Sequence, residues 1–137
     1  MTDQAPERTA EDGRVLAAVS NRVVGLYKEY YGRGPTRVKS YMQDDILVVV
    51  LRGALLRAEQ TLSEMGQGRA VLEQRVAFQE AIRDRFTAEV EEIVGRRVVG
   101  YMRGSQLAPD MSAELFVLDG SADDGYFSQN GSGPAAA

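Results

Sequence analysis

The chain has 137 residues, 44% of them apolar, and a formal net charge of −4. That is room for one domain with a real core, and the acidic balance argues against a bulk electrostatic footprint for nucleic acid. It contains neither cysteine nor histidine, which excludes disulfide frameworks, thiolate zinc sites, cysteine nucleophiles and His-based hydrolytic triads.

Residues 1–9 are polar and include Pro6, a composition that reads as disordered. They lack the basic start and apolar run of a signal peptide. The longest apolar run, Ile46–Leu51, is far short of the ~20 residues that span a bilayer. The expectation is a cytoplasmic protein that meets a membrane only through a partner. Val15, Leu16, Val19, Val23, Leu26, Tyr27 and Tyr30 recur at spacings of three and four, one face of an amphipathic helix over about 10–31. Gly32 stops it and Pro35 prevents a restart.

Thr36–Met42 alternates, with Val38, Ser40 and Met42 on one face and Arg37, Lys39 and Tyr41 on the other, as in a half-exposed strand. Gln43-Asp44-Asp45 is a polar turn into Ile46–Leu51, so the two strands form an antiparallel hairpin. The second is apolar on both faces, which points to cover on both sides. Ala54–Met65 reads as a short helix with Leu55, Leu56, Leu62 and Met65 apolar.

A long helix follows over 69–94. Leu72, Val76, Gln79, Ile82, Phe86, Val90, Ile93 and Val94 form its inner face, and Glu73, Arg75, Glu80, Arg83 and other charged residues form a solvated outer face. Arg97–Ser105 and Met111–Asp119 are two more strands, and Gly120–Ala137 reads as a flexible acidic, then Gly-, Ser- and Ala-rich tail. The domain is therefore 10–119.

Arg37-Val38-Lys39-Ser40-Tyr41-Met42 returns as Arg97-Val98-Val99-Gly100-Tyr101-Met102. Each copy follows a helix that stops at Gly-Arg, and each leads into an apolar strand. This is an α-β-β unit used twice, giving an α+β fold: a four-stranded, mainly antiparallel sheet with two long helices and one short helix on one face. The open sheet face or an edge is the natural surface for homodimerisation. If the repeat is real, Tyr41 and Tyr101 occupy related places.

Few residues here point to chemistry. Gly32-Arg33-Gly34-Pro35 follows a helix C-terminus, whereas a phosphate loop precedes a helix N-terminus. Arg33, Arg37 and Lys39 form a small basic cluster beside Tyr41. It reads either as a site for an anion or acidic partner, since arginine forks match carboxylate and phosphate oxygens, or as a solvated strand face paired with acids across the sheet. Asp44-Asp45 supplies too few ligands for a cation. Of Tyr27, Tyr30 and Tyr31, spacing puts the first two in the core and leaves Tyr31 exposed. No cofactor, metal set or catalytic group is identifiable.

The order Gly32-Arg33-Gly34-Pro35, Val38-Lys39-x-Tyr41, Asp44-Asp45, Leu51-x-Gly53, Ala58-Glu59-x-x-Leu62, Gly68-Arg69, Arg75-x-x-Phe78 and Gly95-Arg96-x-Val98 resembles the MpsC-like domain family of the Na+-translocating membrane-potential-generating system. The resemblance covers about 11–119. Leu55-Leu56-Arg57 departs from the threonine, often with proline, that opens the short helix in this pattern. The resemblance implies a bacterial cytoplasmic protein associated with a membrane system that moves cations and is linked to inorganic-carbon uptake, with no catalytic residues to carry over.

Two functions from different classes follow. One is a non-enzymatic accessory or regulatory protein that docks a subunit of a membrane transport complex through Arg33, Arg37, Lys39 and Tyr41. The other is a regulator that binds a small anion, a nucleotide or nucleic acid. An enzyme is disfavoured by the missing nucleophiles and bases.

Overall fold

A computed structural model describes residues 5–120 of the chain. In chain order the elements are α1 (Ala5–Tyr31), β1 (Arg37–Gln43), β2 (Ile46–Arg52), α2 (Arg57–Glu64), α3 (Gly68–Val94), β3 (Val98–Gln106) and β4 (Met111–Leu118). The fold is α+β. The sheet is antiparallel throughout, in the order β1-β2-β4-β3.

Helix α1 reaches back to Ala5, so residues 5–9, expected to be disordered, are helical; the expected disorder of 1–4 and the tail from 121 lie outside the described residues. Gly32 ends the helix with φ 88° and donates its N–H to the Lys28 carbonyl at 3.0 Å, a left-handed stop that glycine makes without strain. The β1–β2 turn needs only Asp44 and Asp45, with Asp44 at φ 55°.

The core lies between one face of the sheet and helices α1 and α3. Leu47, Val49, Leu51, Phe116 and Leu118 meet Val19, Val23, Leu26, Tyr27, Ile82, Phe86 and Val90. On β4, Ser112 and Glu114 point into the core on the same phase as Phe116 and Leu118, while Met111, Ala113, Leu115 and Val117 lie on the far face, half-buried.

The topology is compatible with a duplicated α-β-β unit, but the repeated residues are not equivalent. Tyr41 is on the open face, 51% exposed, whereas Tyr101 is in the core, 5% exposed, and Met102 takes the open face instead. A register shift between Val98 and Gly100 is the cause, since one extra residue in a strand turns every following side chain to the other face.

Two helices also differ from the expected faces. On α3 the N-terminal half buries Val71 and Arg75, while Val76, expected in the core, is 63% exposed. On α2, Leu62 and Met65 are exposed and Glu59 is the buried residue. The buried charged residues of the two helices, Arg75 and Glu59, meet in the pair described below. Leu56 sits at the α2 N-cap with no side-chain cap. Its N–H is taken instead by Glu59 Oε1 at 2.8 Å, which replaces the missing threonine with half of a capping box.

Candidate functional site

The basic cluster anticipated from sequence divides. Arg33 is not on the strand face. Its guanidinium donates to the carbonyls of Leu55 (2.7 Å) and Gly53 (2.9 Å), clamping the β2–α2 loop. Asp110 completes the clamp by accepting from the N–H groups of Ala54 and Leu55 at 3.2 and 3.1 Å. Arg33 thus holds the β2–α2 loop in place.

Arg37, Lys39 and Tyr41 do share a face, the one turned away from the helices, and the Lys39 ammonium lies 5.7 Å from the Tyr41 ring centre. Arg52 stands directly across from Arg37, so this corner carries three cations. The pairing with acids that would have made it a plain solvated face is absent among the described residues. Inward from this corner the open face is apolar: Ile46, Val48 and Val50 of β2, Ala113, Leu115 and Val117 of β4, then exposed Val99 and Met102 of β3.

A second constellation lies on the core side. Glu114 is fully buried and accepts from four donors. These are Tyr27 Oη (2.8 Å), Arg103 Nε (3.0 Å), Tyr101 Oη, and Gln79 Nε2 (3.4 Å). Gln79 Nε2 also donates to Tyr101 Oη, and Arg103 reaches Tyr27 Oη (2.8 Å) and Ser105 Oγ (3.1 Å). A carboxylate with this many donors, one of them charged, can be held in a core where a lone charge could not.

The same network holds its phenols neutral. Burial, then the Glu114 charge, pushes Tyr27 and Tyr101 far above the ordinary tyrosine range. Burial alone would lower Arg103, but Tyr27 and Glu114 around it raise it. Tyr31, expected to be exposed, is buried and stacks on Phe78 with ring centres 4.6 Å apart. Burial raises its hydroxyl as well.

Arg75, expected on a solvated face, is 1% exposed. It gives Nε and Nη2 to the Glu59 carboxylate at 3.0 and 2.6 Å, gives Nη2 also to the Ala54 carbonyl, and lies over the Tyr31 ring at 4.6 Å. This pair ties α2 to α3. Beside it a cleft of about 420 Å³ opens between α3 and the edge strand β3, lined by Arg75, Gln79 and Arg83 of α3 and by Tyr101, Arg103 and Ser105 of β3. None of these residues was picked out from sequence as a site. The legible signal was the spacing 75-79-83, one helix turn apart each time, but only Gln79 was placed on the inner face, since arginines at such positions ordinarily face water.

No helix among the described residues is long and apolar enough to cross a membrane. No solved structure matches the chain. The uncharacterized protein YrhF of Bacillus subtilis (strain 168) is 26% identical over 103 residues, covering 72% of this chain and 83% of that one. The family model for the MpsC protein of the Na+-translocating membrane potential-generating system matches residues 11–120, from within α1 to just past the end of β4, and the chain belongs to that MpsC family.

Proposed function

We propose that this chain is a non-enzymatic accessory or regulatory protein of a membrane cation and inorganic-carbon transport system, acting as a homodimer through protein–protein contact. The observation that carries this reading is the open face of the sheet. Helices cover one face; the other is apolar at its centre and basic at one corner. Four strands at ~4.8 Å and seven residues at ~3.3 Å give roughly 19 by 23 Å. That is about 450 Å² in projection for the whole face, of which the apolar part on β2, β4 and β3 is about three strands wide, roughly 330 Å², within the range of the largest apolar patches monomers leave in water. Side-chain relief and the rim bring it toward the ~800 Å² per partner of a stable interface.

A second copy is the occupant that fits the centre. An isologous contact sets the same patch against itself, and the centre of this patch, on β2, β4 and Met102 of β3, holds aliphatic and Met side chains with no charged group. The order β1-β2-β4-β3 puts antiparallel β2 and β4 in the middle, so a twofold axis can pass between them without facing the two basic corners across the centre. Arg37, Lys39 and Tyr41 then remain at the rim, where guanidinium and ammonium groups suit an acidic surface on a transport subunit.

The experiment is native mass by light scattering, then co-purification with the transport subunit in gentle detergent. The wild type should be a dimer at micromolar concentration, and Leu115→Glu should be a folded monomer. Arg37→Glu/Lys39→Glu should stay dimeric and lose the transport subunit. A monomeric wild type would refute the interface, and undiminished co-purification of the double variant would refute the docking rim.

A further inference from the structure

We propose that the cleft between α3 and β3 is a binding site for a small oxyanion that also carries a hydroxyl donor, such as a hydrogen phosphate or a hydroxycarboxylate. The proposal does not rest on the dimer: the polar lining from Arg75, Gln79, Arg83, Tyr101 and Arg103 is on the helix side of the sheet edge, and only the side chain of Met102, at the edge itself, borders both the cleft and the open face.

Two atoms on the cleft's lining residues carry the argument. Arg75 Nη1 and Gln79 Oε1 are buried and have no hydrogen-bonding partner within the protein. Their parent side chains are 1% and 6% exposed. Arg75 has spent Nε and Nη2 on Glu59 and Ala54, and Gln79 has spent its amide N–H groups on Tyr101 and Glu114. What remains is one charged donor and one neutral acceptor, on side chains rooted one helix turn apart on the same stripe of α3. Leaving such groups buried and unpaired is costly. Both atoms lie under the wall of the cleft rather than on its surface; a side-chain rotation that turns them into the cleft would let a ligand oxygen accept from Arg75 and a ligand hydroxyl donate to Gln79.

Within the cleft one guanidinium is left without a carboxylate partner among the described residues. Arg75 and Arg103 are each matched by a buried carboxylate, Glu59 and Glu114. Arg83, one turn beyond Gln79, forms no ion pair among the described residues. It donates to the Tyr101 carbonyl at 3.2 Å and lies over the Tyr101 ring at 5.0 Å, which fixes its guanidinium at the cleft wall. The lining thus has one cation in excess of its buried partners, offset only by exposed Glu80 at the rim. Exposed Val76 and Met102 flank the mouth and exclude water from one side of a small ligand, which strengthens charge–charge contacts inside.

The test is titration of the full chain, followed by amide NMR and calorimetry, with inorganic phosphate near pH 6.5 against sulfate at matched ionic strength, and with glycolate against acetate. Sulfate and acetate offer oxyanions without a hydroxyl. The expected result is saturable binding of phosphate, glycolate or both, at least about tenfold tighter than the hydroxyl-free partner, with the Gln79 side-chain amide and Gly104 backbone amide shifting. Saturation by phosphate alone assigns a phosphate; saturation by glycolate alone assigns a hydroxy acid. Arg83→Gln and Val76→Glu, both at positions outside the core, should each weaken binding about tenfold or more while the melting curve is kept. Equal affinity for the hydroxyl-free anions, no saturation at millimolar concentration, or unchanged binding in both variants would overturn the proposal.

Discussion

Removing the buried carboxylate of Glu114 tests how this core is held together. In Glu114→Leu the side-chain volume is roughly kept, but Arg103, whose side chain is 6% exposed, becomes a buried charge without a counter-ion. Breaking a buried pair from one side costs about 3–5 kcal/mol. Tyr27, Tyr101 and Gln79 lose their shared acceptor at the same time, and each donor left unsatisfied adds about 1 kcal/mol or more. Against a total stability of about 5–15 kcal/mol this is a large fraction. Urea and thermal unfolding should show a loss of at least about 3 kcal/mol, a fall in melting temperature of about 10 °C or more for a domain of this size.

The double variant Arg103→Leu/Glu114→Leu removes the stranded charge and should be more stable than Glu114→Leu alone, a positive coupling in a double-mutant cycle. If Glu114→Leu loses under about 1 kcal/mol with an unchanged urea slope, or the double variant is no better than the single, the carboxylate is not the organising acceptor and the reasoning fails.

Other consequences can be checked on the same protein. Arg33→Ala should cost about 1–3 kcal/mol, because it frees two loop carbonyls, while Arg37→Ala should leave the melting curve unchanged within error; equal effects would contradict the division of the basic cluster. Tyr27, Tyr31 and Tyr101 are raised above 10.0 by burial. The folded state therefore holds these protons more tightly than the unfolded one, so their contribution is intact below pH 10 and declines as pH rises above it. Absorbance near 295 nm should show these three ionising only with unfolding, and stability constant to about pH 10, then falling. A folded protein in which all tyrosines titrate together would refute the buried network.

The elements themselves were legible. Apolar residues at spacings of three and four produce α1 and the C-terminal half of α3, period-two alternation produces β1, and Gly32 and Gly95 stop the helices where a left-handed residue is required. The inward faces were legible where they were apolar or, as at Ser40 and Gln79, uncharged and in phase with apolar neighbours. Arg75 was placed in water because a charged residue on a helix usually belongs there, and its partner Glu59 lies sixteen residues away on another helix, beyond any local pairing rule. On β4 either phase of the alternation is half apolar, so Glu114 could be assigned inward only by what packs on it.

The basic face was half legible. Arg37, Lys39 and Tyr41 share a strand and so had to share a side, whereas Arg33 precedes the strand in an irregular segment and is directed by the loop it clamps. The matching words at 37–42 and 97–102 suggested matching places. The register shift after Val98 decided otherwise, and nothing in the two words encodes it.

By itself, then, the sequence determined one α+β domain without cysteine or histidine chemistry, its helix stops, its hairpins and its family, because periodicity and turn residues act over a few neighbours. Only the tertiary structure decided which polar groups are buried, which strand face stays open and where a cleft forms. Each of these depends on residues tens of positions apart meeting in a low-dielectric core, where a charge is kept only if its partner arrives with it.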